Sequence, residues 1–286
     1  MGLRLEQLLI ETRCLLKDAG ISEAALDARI LVSEASGIAA ASLPLEFDRV
    51  LSPDVAEQVR LWAGQRVAGK PVHRIIGWRE FWGLRFTLGP DTLEPRPDTE
   101  TLVEVALRWV DAQGLREAPL KLADIGTGSG AIAVAMLSEL PNAQCVAVDL
   151  SAGALTTARK NAEANGVGAR FLPVQADYVS ALSGGFDMVL SNPPYIRSRV
   201  VAELSEEVRT HDPMLALDGG DDGLTPYPVL LQNASHLLRK GGAMMLEIGF
   251  DQAADVLDIA KKNNAIFARC HQDLAGQDRV IEALFR

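Results

Sequence analysis

Leu5, Leu8, Leu9, Leu15 and Leu16 return at the three- and four-residue spacing of an amphipathic helix, and Gly20 follows as a stop. Ser22 opens a second helical pattern that turns Ala25, Leu26, Ile30 and Leu31 inward and ends near Gly37. Ser52-Pro53 reads as an N-cap with proline at the first helical position, which predicts a third helix to about Ala68. No strand pattern of any length interrupts this stretch, so residues 1–75 are expected to form a small all-helical domain that binds a partner. Between 76 and 97 the pattern breaks up. Trp78, Phe81, Trp82 and Phe86 sit among glycines and prolines, and Leu84-Arg85-Phe86-Thr87-Leu88 alternates. That predicts a hairpin linker.

From residue 98 strands and helices take turns. Asp98 is placed to cap a helix from Thr99 to about Val110. Short apolar runs predict strands at 120–125, 144–148, 170–174, 186–191, 243–248, 266–271 and 279–285. Helical spacing fits 131–140, 152–164, 226–239 and 251–263. Such alternation implies right-handed βαβ units and a parallel sheet covered on both faces. The last two strands are joined by a short loop, which suits an antiparallel end. Residues 98–286 are therefore expected to be an α/β, Rossmann-like domain with a mostly parallel seven-stranded sheet.

Composition removes several function classes. The 286 residues are 48% hydrophobic and 23% charged, which excludes disorder as the main state. The net charge is −10, and acids outnumber bases both before and after residue 100. No direct nucleic-acid contact is expected from that balance, whereas a basic protein partner suits its sign. No apolar stretch approaches the ~20 residues that span a bilayer, and residues 1–6 mix acids with bases, unlike a signal peptide. Cys14, Cys145 and Cys270 lie far apart without a CxxC, and the four histidines show no ligand spacing. A cytoplasmic monomer with no metal and no membrane contact is the expectation.

Two constellations carry chemistry. Asp124-Ile125-Gly126-Thr127-Gly128-Ser129-Gly130-Ala131 leaves a predicted strand and opens a helix, where glycines let a ligand approach the backbone. A tight turn without a ligand would look the same. Asp149 ends the next strand, where a carboxylate can accept both hydroxyls of an adenosine ribose, or merely cap the following helix. Loop and acid together indicate an adenosine-containing cofactor without choosing between NAD and S-adenosylmethionine. The second constellation is Asn192-Pro193-Pro194-Tyr195, delivered by a strand at the edge where open α/β sheets bind ligands. Its prolines stiffen the turn and offer acceptors but no N–H donors. A planar NH₂ group can give one hydrogen to the Asn192 side chain and one to the Pro193 carbonyl, with Tyr195 against its face.

On these residues the chain resembles class I S-adenosylmethionine-dependent methyltransferases of the Asn-Pro-Pro-Tyr type, which methylate planar nitrogens. Further segments are similar to the release-factor glutamine methyltransferases, the HemK/PrmC family. They are the amino-terminal helices, Pro71–Gly77, Glu80–Leu84, Leu93-Glu94-Pro95-Arg96-Pro97-Asp98-Thr99-Glu100, Leu215–Leu224, Leu246-Glu247-Ile248-Gly249 and Asp273–Val280. The resemblance implies methyl transfer to a glutamine amide nitrogen (N5) in the Gly-Gly-Gln motif of class I peptide chain release factors, tuning translation termination. S-adenosylmethionine would leave as S-adenosylhomocysteine. It places Gly126, Thr127, Gly128, Ser129 and Gly130 at the methionine end, Asp149 on the ribose, and Asp177 and Tyr178 beside the adenine. Asn192 touches both cofactor and acceptor. Asn192, Pro193 and Tyr195 would be catalytic, with Pro194, Arg96 and Glu100 also at the acceptor. The rival readings are another enzyme with this tetrapeptide, acting on a ribosomal-protein glutamine, ribosomal RNA guanine or DNA adenine, and a non-enzymatic helical adaptor on a cofactor-sensing module.

Overall fold

A computed structural model describes residues 3–286. The chain divides into two compact units between Trp78 and Arg79. The first unit holds α1 (Leu5–Asp18), α2 (Ala24–Ser36), α3 (Pro53–Val67) and α4 (Val72–Ile76). Ser52 caps α3 by accepting from the Val55 N–H at 3.4 Å, with Pro53 behind it, as its sequence predicts. The second helix differs from expectation. It buries Ala24, Asp27, Ala28, Leu31 and Val32 and leaves Leu26 half exposed. The cause is an ion pair inside this unit: Arg66 Nε donates to Asp27 Oδ2 at 2.7 Å, both side chains being almost fully buried. A charge that must stay paired in the interior rotates the helix face away from the purely apolar choice. The first helical bond runs from the Asp27 N–H to the Glu23 carbonyl, so Ser22 lies outside the cap position.

A hairpin of β1 (Trp78–Phe81) and β2 (Leu84–Thr87) follows. Its two turn residues, Trp82 and Gly83, both have positive φ, 55° and 68°, the geometry that matches strand twist in tight hairpins. For Trp82 that conformation is strained, and two acids hold it. Glu100 accepts from its backbone N–H at 2.8 Å, and Glu139 from its indole N–H at 2.9 Å. Phe81 and Phe86 pack edge to face, 6.1 Å apart, within the larger core.

The second unit is built on one sheet. Its elements continue with α5 (Glu100–Ala112), β3 (Lys121–Ile125), α6 (Ala131–Glu139), β4 (Gln144–Asp149), α7 (Ala152–Ala164), β5 (Phe171–Gln175) and β6 (Phe186–Ser191). Short helices α8 (Ser198–Val201), α9 (Glu206–His211), α10 (Pro226–Gln232) and α11 (Ala234–Leu237) precede β7 (Leu238–Glu247). Helix α12 (Ala253–Lys262), β8 (Phe267–Gln272) and β9 (Asp278–Leu284) complete it. The strand order is β5-β4-β3-β6-β7-β9-β8, parallel except where β9 pairs with β7 and β8. That is the expected mostly parallel seven-stranded sheet with an antiparallel end. Strand β6 is buried at all six positions and α6 at its first seven, as befits elements sandwiched in a parallel sheet's core. Helices α5 and α6 cover one face, α10 to α12 the other.

Two predicted elements change. The helix expected over 226–239 breaks at Asn233 and stops at Leu237, because Leu238 pairs with Phe186 as β7 begins. Asp98 does not cap α5. A 3-10 turn at Pro97–Thr99 starts the helix, and the Asp98 carboxylate faces Arg279 at 3.5 Å.

Candidate active site

Strand order reverses around β3, which has β4 on one side and β6 on the other, so a crevice opens at their carboxyl ends. The loop leaving β3 turns at Gly126 and Gly128, with φ of 74° and 54°, values that favour glycine. The Gly126 and Thr127 N–H groups both donate to the Val148 carbonyl at 2.8 Å. Thr127 also gives its hydroxyl hydrogen to Asp124 Oδ2 at 2.7 Å, and the Ala133 N–H joins it at 3.2 Å. Asp124 is fully buried, and burial pushes its carboxyl up to about 7. Gly130 closes the loop. An added Cβ there would meet Ala158 Cβ at 3.1 Å, so this glycine serves the close packing of α6 on α7.

Asp149 ties the loop to β4. Its Oδ2 accepts from the Gly128 N–H at 2.8 Å and its Oδ1 from the Ser151 N–H at 2.9 Å. Ser151, not Asp149, caps α7, accepting from the Ala154 N–H at 3.2 Å. Each Asp149 oxygen has one bond and keeps capacity for another donor.

A cavity of about 200 Å³ occupies this crevice. Gly126, Thr127, Gly128, Ser129, Asp149, Asp177, Tyr178, Asn192, Pro194 and Arg96 line it, all named from sequence. Gly130, Pro193, Tyr195 and Glu100 are outside its lining. Glu100 spends its carboxylate on the Trp82 turn. Leu93, Glu94, Thr99, Leu215 and Ala216 also face the cavity, although sequence named none of them as a site residue. Glu94 is buried and paired with Arg79.

The Asn192-Pro193-Pro194-Tyr195 turn is assembled from distant parts. Ser191 at the end of β6 donates its hydroxyl to the Ile125 carbonyl at 2.6 Å. The Asn192 side chain donates through Nδ2 to Thr99 Oγ1 at 3.1 Å, which leaves Oδ1 as the end turned away from Thr99. The Tyr195 phenol donates to Glu247 Oε1 at 3.4 Å, and its carbonyl accepts from Gln252 Nε2 at 3.0 Å. Gln252, itself buried, also donates to the Gly223 carbonyl and accepts from the Gly249 N–H. The segment 217–223 lies along the turn, with Ile196 N–H on the Leu217 carbonyl and Gly219 N–H on the Ile196 carbonyl. A Cβ at Gly219 would come 2.7 Å from the Pro194 carbonyl oxygen. At Gly223, whose φ is 76°, it would come 2.5 Å from that of Tyr195. Only glycine allows these approaches.

Electrostatics here are set by burial. Glu247 is 1% exposed, and desolvation pushes its carboxyl up to about 7 against the opposing pull of Thr99 and Arg279. Burial, with the Glu247 charge adding to it, also raises the Tyr195 phenol well above its ordinary value. Arg279 bonds Asp273 at 2.9 Å, and Arg96 bonds Asp212 at 2.9 Å. Thr99, Glu247 and Gln252 escaped the sequence reading as site residues. Glu247 had a signal, an acid closing an otherwise apolar strand end, while Gln252 had none. Among the described residues no cluster of His, Cys, Asp or Glu could hold a metal ion, and no helix is long and apolar enough to cross a membrane.

The donor set suits an adenosyl ligand. A carboxylate (Asp149), a flat ring (Tyr178), a small apolar side chain (Ala176) and the glycine-rich backbone of 126–128 line the same cavity, the groups that ribose hydroxyls, an adenine and a close-lying chain would need. Fold and site together define a class I S-adenosylmethionine-dependent methyltransferase. The crystal structure of a methyltransferase from Pyrococcus furiosus has this fold, with a TM-score of 0.51 at 19% identity over 80% of this chain and 97% of that one. Residues 7–77 match the PrmC N-terminal domain and 111–211 the methyltransferase small domain. A release factor glutamine methyltransferase of Bradyrhizobium diazoefficiens is 46% identical over 94% of this chain and 90% of its own. One from Agrobacterium fabrum is 41% identical over 96% and 94%. The chain belongs to the release factor glutamine methyltransferase family.

Proposed function

We propose that this chain transfers a methyl group from S-adenosylmethionine to the side-chain amide nitrogen (N5) of a glutamine in a class I peptide chain release factor. The observation that carries this reading is the Asn192 side chain, whose NH₂ is committed to Thr99 and whose oxygen is left to accept from an incoming NH₂. Asp149 would hold the ribose and Asp177 and Tyr178 the adenine. The loop 126–130 would hold the methionine end, with Gly130 acting through packing.

An amide nitrogen is a weak nucleophile because its lone pair is delocalised. S-adenosylmethionine supplies an electrophilic sulfonium methyl group when bound. The chain's own part is then largely to position, which can be worth several kcal/mol or more. Asn192 Oδ1 and the Pro193 carbonyl accept the two amide hydrogens, turn the nitrogen lone pair toward the cavity and disperse the positive charge that develops, and one of these hydrogens leaves as a proton once the N–C bond has formed. Tyr195 bears on the flat face of the acceptor, its ring fixed by Glu247. Arg96, on the cavity wall and bonded to Asp212, helps hold the acceptor segment. Glu100 we assign to the Trp82 turn rather than to the acceptor.

Incubation with labelled cofactor and separate protein, RNA and DNA acceptors tests the reading. Label should enter the release factor and neither nucleic acid. Transfer to RNA or DNA with the release factor unlabelled would refute it.

A further inference from the structure

Pro193 and Pro194 carry no backbone N–H, so the Asn192–Tyr195 turn is rich in acceptors and poor in donors. A group that fixes such a turn through its backbone must bring its own hydrogens. Gln252 does so. It stands just before α12, 57 residues along the chain from Tyr195, and is 2% exposed. Its Nε2 donates to the Tyr195 carbonyl at 3.0 Å and to the Gly223 carbonyl at 3.1 Å. Its Oε1 accepts from the Gly249 N–H at 2.9 Å. That last bond settles which end of the amide is which, because only the oxygen can receive an N–H. Both NH₂ hydrogens are then left for the two carbonyls.

The two carbonyls belong to segments in close contact. A Cβ on Gly223 would lie 2.5 Å from the Tyr195 carbonyl oxygen and 2.8 Å from Gln252 Nε2. The seam continues past the turn, where the Ile196 N–H bonds the Leu217 carbonyl at 3.1 Å and the Ser198 N–H that of Gly220 at 2.9 Å. Two carbonyl oxygens gathered on one nitrogen would repel each other without its hydrogens.

We infer that Gln252 is a positioning residue for methyl transfer. It pins the backbone of the turn at Tyr195 and so sets where the Tyr195 ring and the Pro193 carbonyl stand when an acceptor amide arrives. The far end of the same ring is bonded to Glu247, so Tyr195 is held at its backbone and at its phenol. This inference rests on the reading of the turn as the acceptor's seat. Glutamine is the side chain the position requires. An ionised glutamate has the same shape and no hydrogen to give, and methionine has similar length and no N–H or O–H. Either leaves the Tyr195 carbonyl without its donor. Gln252 does not line the cavity, so the cofactor's own contacts stay in place.

The test compares wild type with Gln252→Glu, using purified release factor at saturating cofactor. Circular dichroism checks folding, and calorimetry with S-adenosylhomocysteine measures the cofactor half. The chain has three tyrosines, 178, 195 and 227, so 3-fluorotyrosine labelling gives one fluorine signal for each. In Gln252→Glu, kcat should fall roughly ten- to a hundredfold, the scale of a small misplacement. Affinity for S-adenosylhomocysteine and the Tyr178 signal should stay as in wild type, while the Tyr195 signal moves. A near-normal kcat in the folded variant overturns the inference. So does a lowered kcat with the Tyr195 signal unmoved, or with cofactor affinity falling in step. If Gln252→Glu does not fold, Gln252→Met must show the same separation of rate from affinity, and any other result there overturns the inference equally. Wild type that labels no glutamine would sink the function reading instead, and the fluorine signals would still decide whether Gln252 holds Tyr195.

Discussion

Gly126, Thr127 and Gly128 keep their shape through bonds to the ends of the two adjacent strands β3 and β4, at Asp124, Val148 and Asp149. The Asn192–Tyr195 turn next to them is held by Thr99, Gly219, Gly223, Glu247 and Gln252, which arrive from widely separated stretches. One half of the cavity is a local device of strand, glycines and helix. The other is a stiff tetrapeptide whose placement depends on the whole domain. On the proposed function the difference suits two tasks. A cofactor common to many enzymes needs a reusable cradle, while a weak amide nucleophile needs an acceptor aligned to a fraction of an ångström.

The comparison can be broken by separating binding from chemistry. Asn192→Ala should lower turnover by about 10²–10³, as for loss of an oriented dipole at developing charge, with a much smaller fall in cofactor affinity. Near-normal turnover at saturating acceptor would remove Asn192 from the mechanism. Asp149→Ala should do the converse. Loss of its charged bonds weakens cofactor binding by about 1–3 kcal/mol, measurable by calorimetry, and saturating cofactor should restore most of the rate.

Much of the local half is legible in sequence because glycine spacing and the acid at the end of β4 sit within 24 residues of each other, from Gly126 to Asp149. Residue chemistry reads the assembled half only as Asn-Pro-Pro-Tyr, and the segments that carry Thr99, Gly219, Gly223 and Glu247 stand out through the family resemblance alone, without assigned roles. Gly219 and Gly223 stand in a segment that reads as a polar loop, and nothing in a one-dimensional pattern says that Tyr195 lies against them. Thr99 reads as the first residue of a helix, yet its hydroxyl leaves the helix for Asn192. The α2 face fails for the same kind of reason, since Asp27 answers to Arg66, 39 residues away.

Burial of acids at both halves gives a stability signature of smaller size. Asp124 and Glu247 have folded values of about 7 against ordinary values of 3.8 and 4.5. Their folded forms hold protons that the unfolded chain has released, so the stability they contribute is full below about pH 4 and is lost as pH rises through 7. Asp124→Asn should therefore narrow the gap between denaturation midpoints at pH 5 and pH 8.5. An unchanged gap would mean that Asp124 does not titrate in that window.

The smallest effect concerns the approach of the partner. Glu203, Glu206, Asp218, Asp221 and Asp222 are exposed near the turn, a negative rim suited to steering a basic acceptor loop. Reversing Asp221 and Asp222 to lysine should slow association with release factor a few-fold at low salt, and roughly 0.15 M salt should shrink the difference. Cofactor binding should not change.

Gly223→Ala offers the most direct measurement of whether the acceptor half can be disturbed alone. The alanine Cβ would press on the Tyr195 carbonyl from outside the cavity lining, and misplacement of this order costs up to about 10²-fold in rate. Calorimetry and methyl transfer on one folded preparation should give cofactor affinity close to wild type and a rate lower by about tenfold or more. Affinity and rate falling together, or a rate left intact, would contradict the division of the site into a local cradle and an assembled acceptor turn.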